Sequence, residues 1–162
     1  MSVAAGVRLG PLLSGHREPL EAIVRATNMF AEDEVAVALE LFDDASAGGT
    51  DYEFIGAFDG ERLIGYSCFG ATPSTEDTFD LYWIAVQPSA QRSGAGGVLM
   101  AEVERRLRER RARLLVVETS SRDDYAPTRR FYEKRGYAQS ARVRDFYAHG
   151  DHRVILTKSL SA

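Results

Sequence analysis

An apolar run from Leu81 to Val86 passes directly into the residues Val86 to Gly97, which read Val-Gln-Pro-Ser-Ala-Gln-Arg-Ser-Gly-Ala-Gly-Gly, and a stretch of helical periodicity follows at once. No other segment restricts the fold so strongly. A strand that ends in a turn of small residues and restarts as a helix brings successive N–H groups toward one point. The helix N-terminus adds about half a positive charge there, so the arrangement reads as an anion cradle. Gly94 and Gly96 are the positions where a Cβ would block a close approach and where the turn calls for φ > 0.

Three kinds of phosphate loop share this anatomy, and spacing separates them. A nucleoside-triphosphate loop needs Gly, four residues, then Gly-Lys-Ser/Thr, and this segment holds no Lys. A dinucleotide loop needs Gly-x-Gly-x-x-Gly, whereas Gly94-Ala95-Gly96 is followed by Leu99 in the third place, with no βαβ unit and acidic residue at the right distance. What remains, Gln91-Arg92-Ser93-Gly94-Ala95-Gly96, resembles the Gln/Arg-x-x-Gly-x-Gly/Ala signature of the GCN5-related N-acetyltransferase (GNAT) superfamily. There the signature grips the pyrophosphate of coenzyme A.

The rest of the chain reads as one domain, 1–162, with 44% hydrophobic and 27% charged residues. Met1 to Pro11 has no cationic segment followed by an apolar core, and no apolar stretch approaches about 18 residues, so a cytoplasmic protein that does not enter membranes is expected. A net charge of −4 argues against nucleic acid as the main partner. The arginines Arg105, Arg106, Arg108, Arg110, Arg111 and Arg113 crowd one helix end. There they complement the dipole, and Glu102–Arg106, Glu104–Arg108 and Glu109–Arg113 stand at i,i+4, which reads as a solvated face. Cys68 lies in an alternating strand pattern and reads as core.

Hydrophobic periodicity places the elements. Val7 to Leu13 reads as a short edge strand interrupted at Pro11. Two helices follow, Glu18 to Phe30 with Leu20, Ile23 and Val24 on one face, and Ala31 to Ala45 with Val35, Ala38, Leu39 and Phe42. Tyr52 to Phe58 and Arg62 to Gly70 form a hairpin about Asp59-Gly60, and Thr78 to Val86 completes a meander. The helix from Gly97 to Arg110 buries Leu99, Met100, Val103 and Leu107. Leu114 to Thr119 is a strand parallel to the one before the cradle, since a helical crossover joins them. A short helix begins near Ala126-Pro127 and ends at Gly136. Tyr137 to Tyr147 and Arg153 to Ser159 close the chain as an antiparallel pair.

The order β-α-α-β-β-β-α-β-α-β-β is that of the GNAT superfamily, and it covers essentially the whole chain. The resemblance implies an α/β fold with a mixed sheet whose central strands splay apart, with acetyl-CoA as acyl donor and no metal. It implies that Ile84, Ala85 and Val86 offer backbone groups to pantetheine and that Gln91, Arg92, Ser93, Gly94, Ala95, Gly96 and Gly97 hold the pyrophosphate, Arg92 facing a phosphate oxygen. Phe131-Tyr132-Glu133-Lys134-Arg135-Gly136-Tyr137 resembles the family's Tyr-x-x-x-Gly-Phe/Tyr segment. This makes Tyr132 the partner of the leaving thiolate and assigns Phe131 to the core. A phenol with pKa near 10 stays protonated at pH 7 and serves as a donor. Thr128, one turn earlier, shares the face of Tyr132. The chain departs from the family at Tyr125 and Thr128, where many members carry Asn and Ala.

An alkyl ammonium with pKa near 10.4 is deprotonated to about one part in 2,500 at pH 7, a deficit of roughly 4.6 kcal/mol, so an amine acceptor calls for a base. Asp80, on the strand before the cradle and on one face with Tyr82 and Ile84 by alternation, is the first candidate, and Glu118, near the end of the next strand, is the second. His149 and His152 near Asp151 lack further ligands for a metal, and His16 has no partner identifiable in the sequence. Glu32, Asp33 and Glu34 attract a cationic acceptor or favour a helix N-terminus. The expected function is acetyl transfer from acetyl-CoA to a primary amine, of a small molecule or a peptide, by direct attack in a ternary complex. The alternative is a non-catalytic acyl-CoA-binding regulatory module. A homodimer is expected from the fold by analogy alone.

Overall fold

The computed structural model describes residues 6–161, so the first part of Met1–Pro11, read above for a leader, lies outside the described residues. The elements are β1 (Arg8–Gly10), α1 (Arg17–Ala26), α2 (Glu32–Ser46), β2 (Glu53–Asp59), β3 (Arg62–Ala71), β4 (Thr78–Val86), α3 (Ala95–Glu109), β5 (Leu114–Ser120), α4 (Ala126–Glu133), β6 (Ala138–Ala148) and β7 (Asp151–Ser159). Short 3-10 helices precede α1, α3 and α4. The seven strands form a mixed sheet in the order β1-β2-β3-β4-β5-β7-β6. The chain divides into two compact units, one through Gly70 with Tyr82–Arg106, the other Ala71–Leu81 with Leu107 onward. β4 contributes to both.

In the first unit β1, β2 and β3 pair antiparallel. α1 has ten residues, fewer than the 12–15 or so that an isolated helix needs, so packing rather than propensity holds it. Leu20, Ile23 and Val24 from α1, Val35, Ala38 and Phe42 from α2, and Tyr66, Cys68 and Ala85 from β3 and β4 form one buried cluster. Each fully buried large side chain contributes about 1.5–3 kcal/mol. α1 stops at Ala26 and not at Phe30, because the Thr27 hydroxyl donates to the Val24 carbonyl and Asn28 takes φ +55, a left-handed stop that Asn tolerates. The β2–β3 turn is Gly60-Glu61, one residue later than expected: Asp59 still pairs with Arg62, and Gly60 takes the positive φ of +60. Positive φ at the first central position alone matches a type II′ hairpin. His16, without a partner in the sequence reading, accepts from the Leu13 amide and packs edge-on against Phe58.

The acids at the start of α2 are engaged locally. Arg25 makes a fork to both oxygens of Glu32, Glu34 accepts from the Ala31 amide, and Asp33 accepts from the Glu34 amide. These are capping and pairing roles, so the three acids do not form an open anionic patch. Tyr82 and Trp83 both pack against the cluster that holds Ala85.

In the second unit β4 pairs in parallel with β5 over four residues, Thr78–Leu81 against Leu114–Val117. β5 pairs antiparallel with β7 along its whole length, and β6 lies outside β7. Leu115, Val117, Val154 and Leu156 are buried there, whereas every residue of β6 is exposed. The expected stripe of α3 is buried as a set, Leu99, Met100, Val103 and Leu107. On its charged face Glu102 binds Arg105 at 2.7 Å and, as the spacing implied, Arg106 at 3.4 Å, and Arg113 donates to the Glu76 carbonyl.

Candidate active site

The capping residue at the head of α3 carries no side chain. Residues Pro88–Ser93 wind as a 3-10 helix, and Gly94 follows in the left-handed region at φ +84. The Gly94 carbonyl accepts the first helical bond, from the Val98 amide at 3.1 Å, which makes Gly94 the capping residue. Ser, Asp or Asn at that position would bond the second and third helical amides with a side-chain oxygen. Gly94 has none. The Ala95 amide donates to the Ser93 hydroxyl oxygen, and that hydroxyl in turn donates to the Ala90 carbonyl. That leaves the amides of Gly96 and Gly97 without an intrahelical acceptor, and no other acceptor reaches them among the described residues.

The first turn of α3 contains no acidic residue. Two open amides, a helix dipole and no competing carboxylate form an anion site whose donors carry no Cβ. The helix begins at Ala95, two residues before the sequence pattern implied. Gly96 is accordingly helical, and its service is close approach alone; only Gly94 takes the positive φ. Gln91 and Arg92 are exposed on the 3-10 turn, and the Arg92 guanidinium has no partner among the described residues. Upstream, Ile84 and Val86 are half-buried and Ala85 is buried, with the Gln87 amide bonded to the Ile64 carbonyl at 2.7 Å.

Tyr132 lies in the last turn of α4, buried, with its ring edge-on to Phe131 at 5.3 Å and to Tyr137 at 5.8 Å. Burial pushes its phenol above the ordinary value of 10, so the hydroxyl is a neutral donor through the physiological range. Phe131, expected in the core, is the less buried of the two and carries the Arg135 guanidinium 3.8 Å from its ring centroid. The turn that follows is tied down. The Tyr132 carbonyl accepts from Arg135 and Tyr137 amides, and Lys158 donates to the Arg135 carbonyl at 2.7 Å. Thr128 is half-buried one turn before Tyr132.

The two candidate bases stand in different surroundings. Asp80 is half-buried and accepts from the Thr72 hydroxyl at 2.7 Å through one oxygen, its other oxygen being without a partner among the described residues. Glu118 is exposed and paired with Arg153 of β7. Neither partner was apparent from sequence, because the Arg153 contact spans 35 residues and arises only once β7 lies beside β5. Cys68 is fully buried and burial pushes its thiol up, which removes it as a nucleophile. In the closing hairpin the His152 ring accepts from the Asp145 amide. Among the described residues no group of three or more His, Cys, Asp or Glu is placed to hold a metal ion.

Comparison with known proteins bears on the family and the fold. The model of the Acetyltransferase (GNAT) family matches residues 19–137. A crystal structure from Desulfovibrio desulfuricans, described as a GNAT-family acetyltransferase, is 40% identical with a TM-score of 0.92, covering 96% of this chain and 99% of that one. The ribosomal-protein-S18-alanine N-acetyltransferase of Escherichia coli superposes with a TM-score of 0.78 at 19% identity, covering 96% and 95% of the two chains. The PaiA N-acetyltransferase of Thermoplasma acidophilum, in complex with coenzyme A, does so at 0.73 and 16%, covering 98% and 99%. These last two likenesses bear on the fold alone. Sequence comparison with the curated proteins finds no match. With the cradle, the element order, a family match over most of its length and a 40% identical relative in agreement, the chain belongs to the GNAT acetyltransferase family.

Proposed function

We propose that this acetyltransferase moves the acetyl group of acetyl-CoA to a primary amine by direct attack in a ternary complex. The observation that carries the proposal is the pair of glycine amides, Gly96 and Gly97, left open at the head of α3. Those amides, with the turn Gln91–Gly94 and the Arg92 guanidinium, bind the diphosphate, and the backbone of Ile84, Ala85 and Val86 receives the pantetheine amides and polarises the thioester carbonyl. Coenzyme A bound to a similar fold, as in the Thermoplasma structure, supports the donor.

In the reaction the amine nitrogen forms a bond to the carbonyl carbon, the C–S bond breaks, and the sulfur leaves with the electron pair. Tyr132 holds a proton for that sulfur, with Thr128 on the same helical face. Asp80 takes the ammonium proton, directly or through water. Of the two carboxylates it receives this role because one of its oxygens is unengaged, whereas Arg153 neutralises Glu118. The acceleration comes from orientation of the two reactants, polarisation of the carbonyl and protonation of the thiolate.

Acceptors in this reading are small-molecule or peptide amines. Among similar folds one enzyme is named for a ribosomal-protein alanine and others for aminoglycosides. The cytoplasm, where acetyl-CoA is at hand, is the expected setting, and among the described residues no helix is long and apolar enough to cross a membrane. A homodimer, expected by analogy, is checked by light scattering. The central experiment follows free-thiol release from acetyl-CoA against amino acids, polyamines, aminoglycosides and peptides with free N-termini. Acceptor-dependent release supports the proposal. Coenzyme A binding without release for any amine overturns catalysis in favour of a regulatory acyl-CoA-binding protein, and absence of coenzyme A binding overturns the whole reading.

A further inference from the structure

A half-open surface cavity of about 190 Å³ lies in the first unit, lined by Val7, by the exposed Asp59 and Arg62 at the two ends of the β2–β3 turn, by Ile64, and by Ser89 and Ser93 of the 3-10 helix that precedes α3. Its size is informative. A cavity of about 150 Å³ accepts benzene, with six carbons, so this one has room for roughly six to eight non-hydrogen atoms. Its chemistry is informative too. Asp59 and Arg62 are direct partners in the strand register, yet their side chains are not joined, and neither has an ionic or hydrogen-bonding partner among the described residues. An acid and a base that share one small cavity without neutralising each other offer opposite poles to a ligand. The turn between them is held in place, since Arg8 donates to the Gly60 carbonyl at 3.0 Å and lies 4.7 Å from the centroid of the Phe58 ring.

We propose that this cavity binds a small free α-amino acid as an effector of the phosphate loop. The α-carboxylate meets the Arg62 guanidinium, whose fork suits it, and the α-ammonium meets Asp59. The Ser89 hydroxyl is a further polar contact, and the apolar faces of Val7 and Ile64 receive a short side chain. Coupling to the loop runs through Ser93. Its hydroxyl joins the Ala90 carbonyl to the Ala95 amide, the first amide of α3, so a ligand resting on Ser93 and Ala90 acts on the bonds that shape the helix head. This coupling rests on the reading that the loop holds coenzyme A; the binding site itself does not.

The test titrates the full-length protein calorimetrically with L-alanine, L-serine, L-threonine and L-valine, and with propionate and ethylamine, each of which keeps only one pole. Coenzyme A without an acetyl group is titrated with and without the tightest amino acid, so that no turnover intrudes. The expected results are binding of at least one of the four amino acids, at least tenfold weaker binding of propionate and ethylamine, and at least tenfold loss in both Arg62→Met and Asp59→Asn. The saturated wild type should show at least a threefold change in coenzyme A affinity, absent in Arg62→Met. The site is overturned if none of the four binds, if the two variants bind them as the wild type does, or if propionate or ethylamine suffices. Binding that leaves coenzyme A affinity unchanged overturns the effector role. Failure of coenzyme A to bind at all, with amino acid binding intact, sinks the loop reading and leaves the cavity assignment standing, so the two failures are distinguishable.

Discussion

Replacing Gly97 with Glu separates anion binding from stability, because the two respond with opposite sign. Gly97 is the third residue of α3, and its amide is one of the two that lack an acceptor. Relative to Gly, Glu in a helix gains about 0.5–1 kcal/mol of propensity. A carboxylate in the first turn adds about 0.3–1 kcal/mol against the dipole. The sum, about 0.8–2 kcal/mol, raises Tm by roughly 2–8 °C for a chain of this size. The same carboxylate repels a bound diphosphate. Each of the two charges of a diphosphate at about 6 Å from the carboxylate costs about 0.7 kcal/mol in water, about 1.4 kcal/mol for both, so coenzyme A binds about tenfold more weakly, and more weakly still where the site excludes solvent. Gly97→Ala is the control, carrying the propensity gain and the added Cβ without the charge, so the difference in Kd between the two variants isolates the carboxylate. The assay is calorimetric titration of coenzyme A beside a thermal melt, repeated at rising salt, where the gap between the variants should narrow. A charged variant that melts higher and still binds coenzyme A as tightly as the alanine variant would refute the assignment of the diphosphate to these amides.

Tyr132→Phe should lower kcat by about 10²–10⁴-fold, the range for general acid catalysis, with coenzyme A affinity within a few-fold; unchanged kcat in steady-state thiol release removes Tyr132 from the reaction. Asp80→Asn should depress kcat/KM most at low pH, where the amine is scarce, whereas Glu118→Gln should change it less; the reverse ranking in pH–rate profiles reassigns the base. Glu102 is held below the ordinary 4.5, first by the hydrogen bond from Arg105. Because the folded state takes up that proton at lower pH than the unfolded chain, the stabilisation is complete above the unfolded value and fades as pH falls through the folded one. Glu102→Gln should therefore flatten the loss of Tm below about pH 4.5, and an unaltered acid limb in melts from pH 3 to 6 contradicts the pairing.

Much of the fold was legible because burial follows periodicity. The stripe Leu99, Met100, Val103 and Leu107 is fully buried as its spacing implied, and Thr78–Val86 has the ends its apolar pattern marked. The cradle's position was legible for the same reason, while its inner geometry was not. Gly96 looks like loop because glycine is a poor helix former, yet the helix starts before it and is held by Leu99 and Met100 in the next turn. Local pattern also misjudged the order of burial of Phe131 and Tyr132, since which of two adjacent rings is covered depends on distant packing. The surroundings of the candidate bases were beyond local reading altogether. Thr72 meets Asp80 across the β3–β4 connection, and Arg153 meets Glu118 across two antiparallel strands.

The open head of α3 has a consequence for the protein's life in the cell. If the proposed diphosphate completes this helix head, the cosubstrate becomes part of the architecture. At a free concentration of a hundred times Kd, a ligand confined to the native state adds about 2.7 kcal/mol to its persistence. Thermal tolerance and resistance to proteolysis would then track acyl-CoA supply, so that starvation weakens the protein when its donor is scarce and plenty protects it.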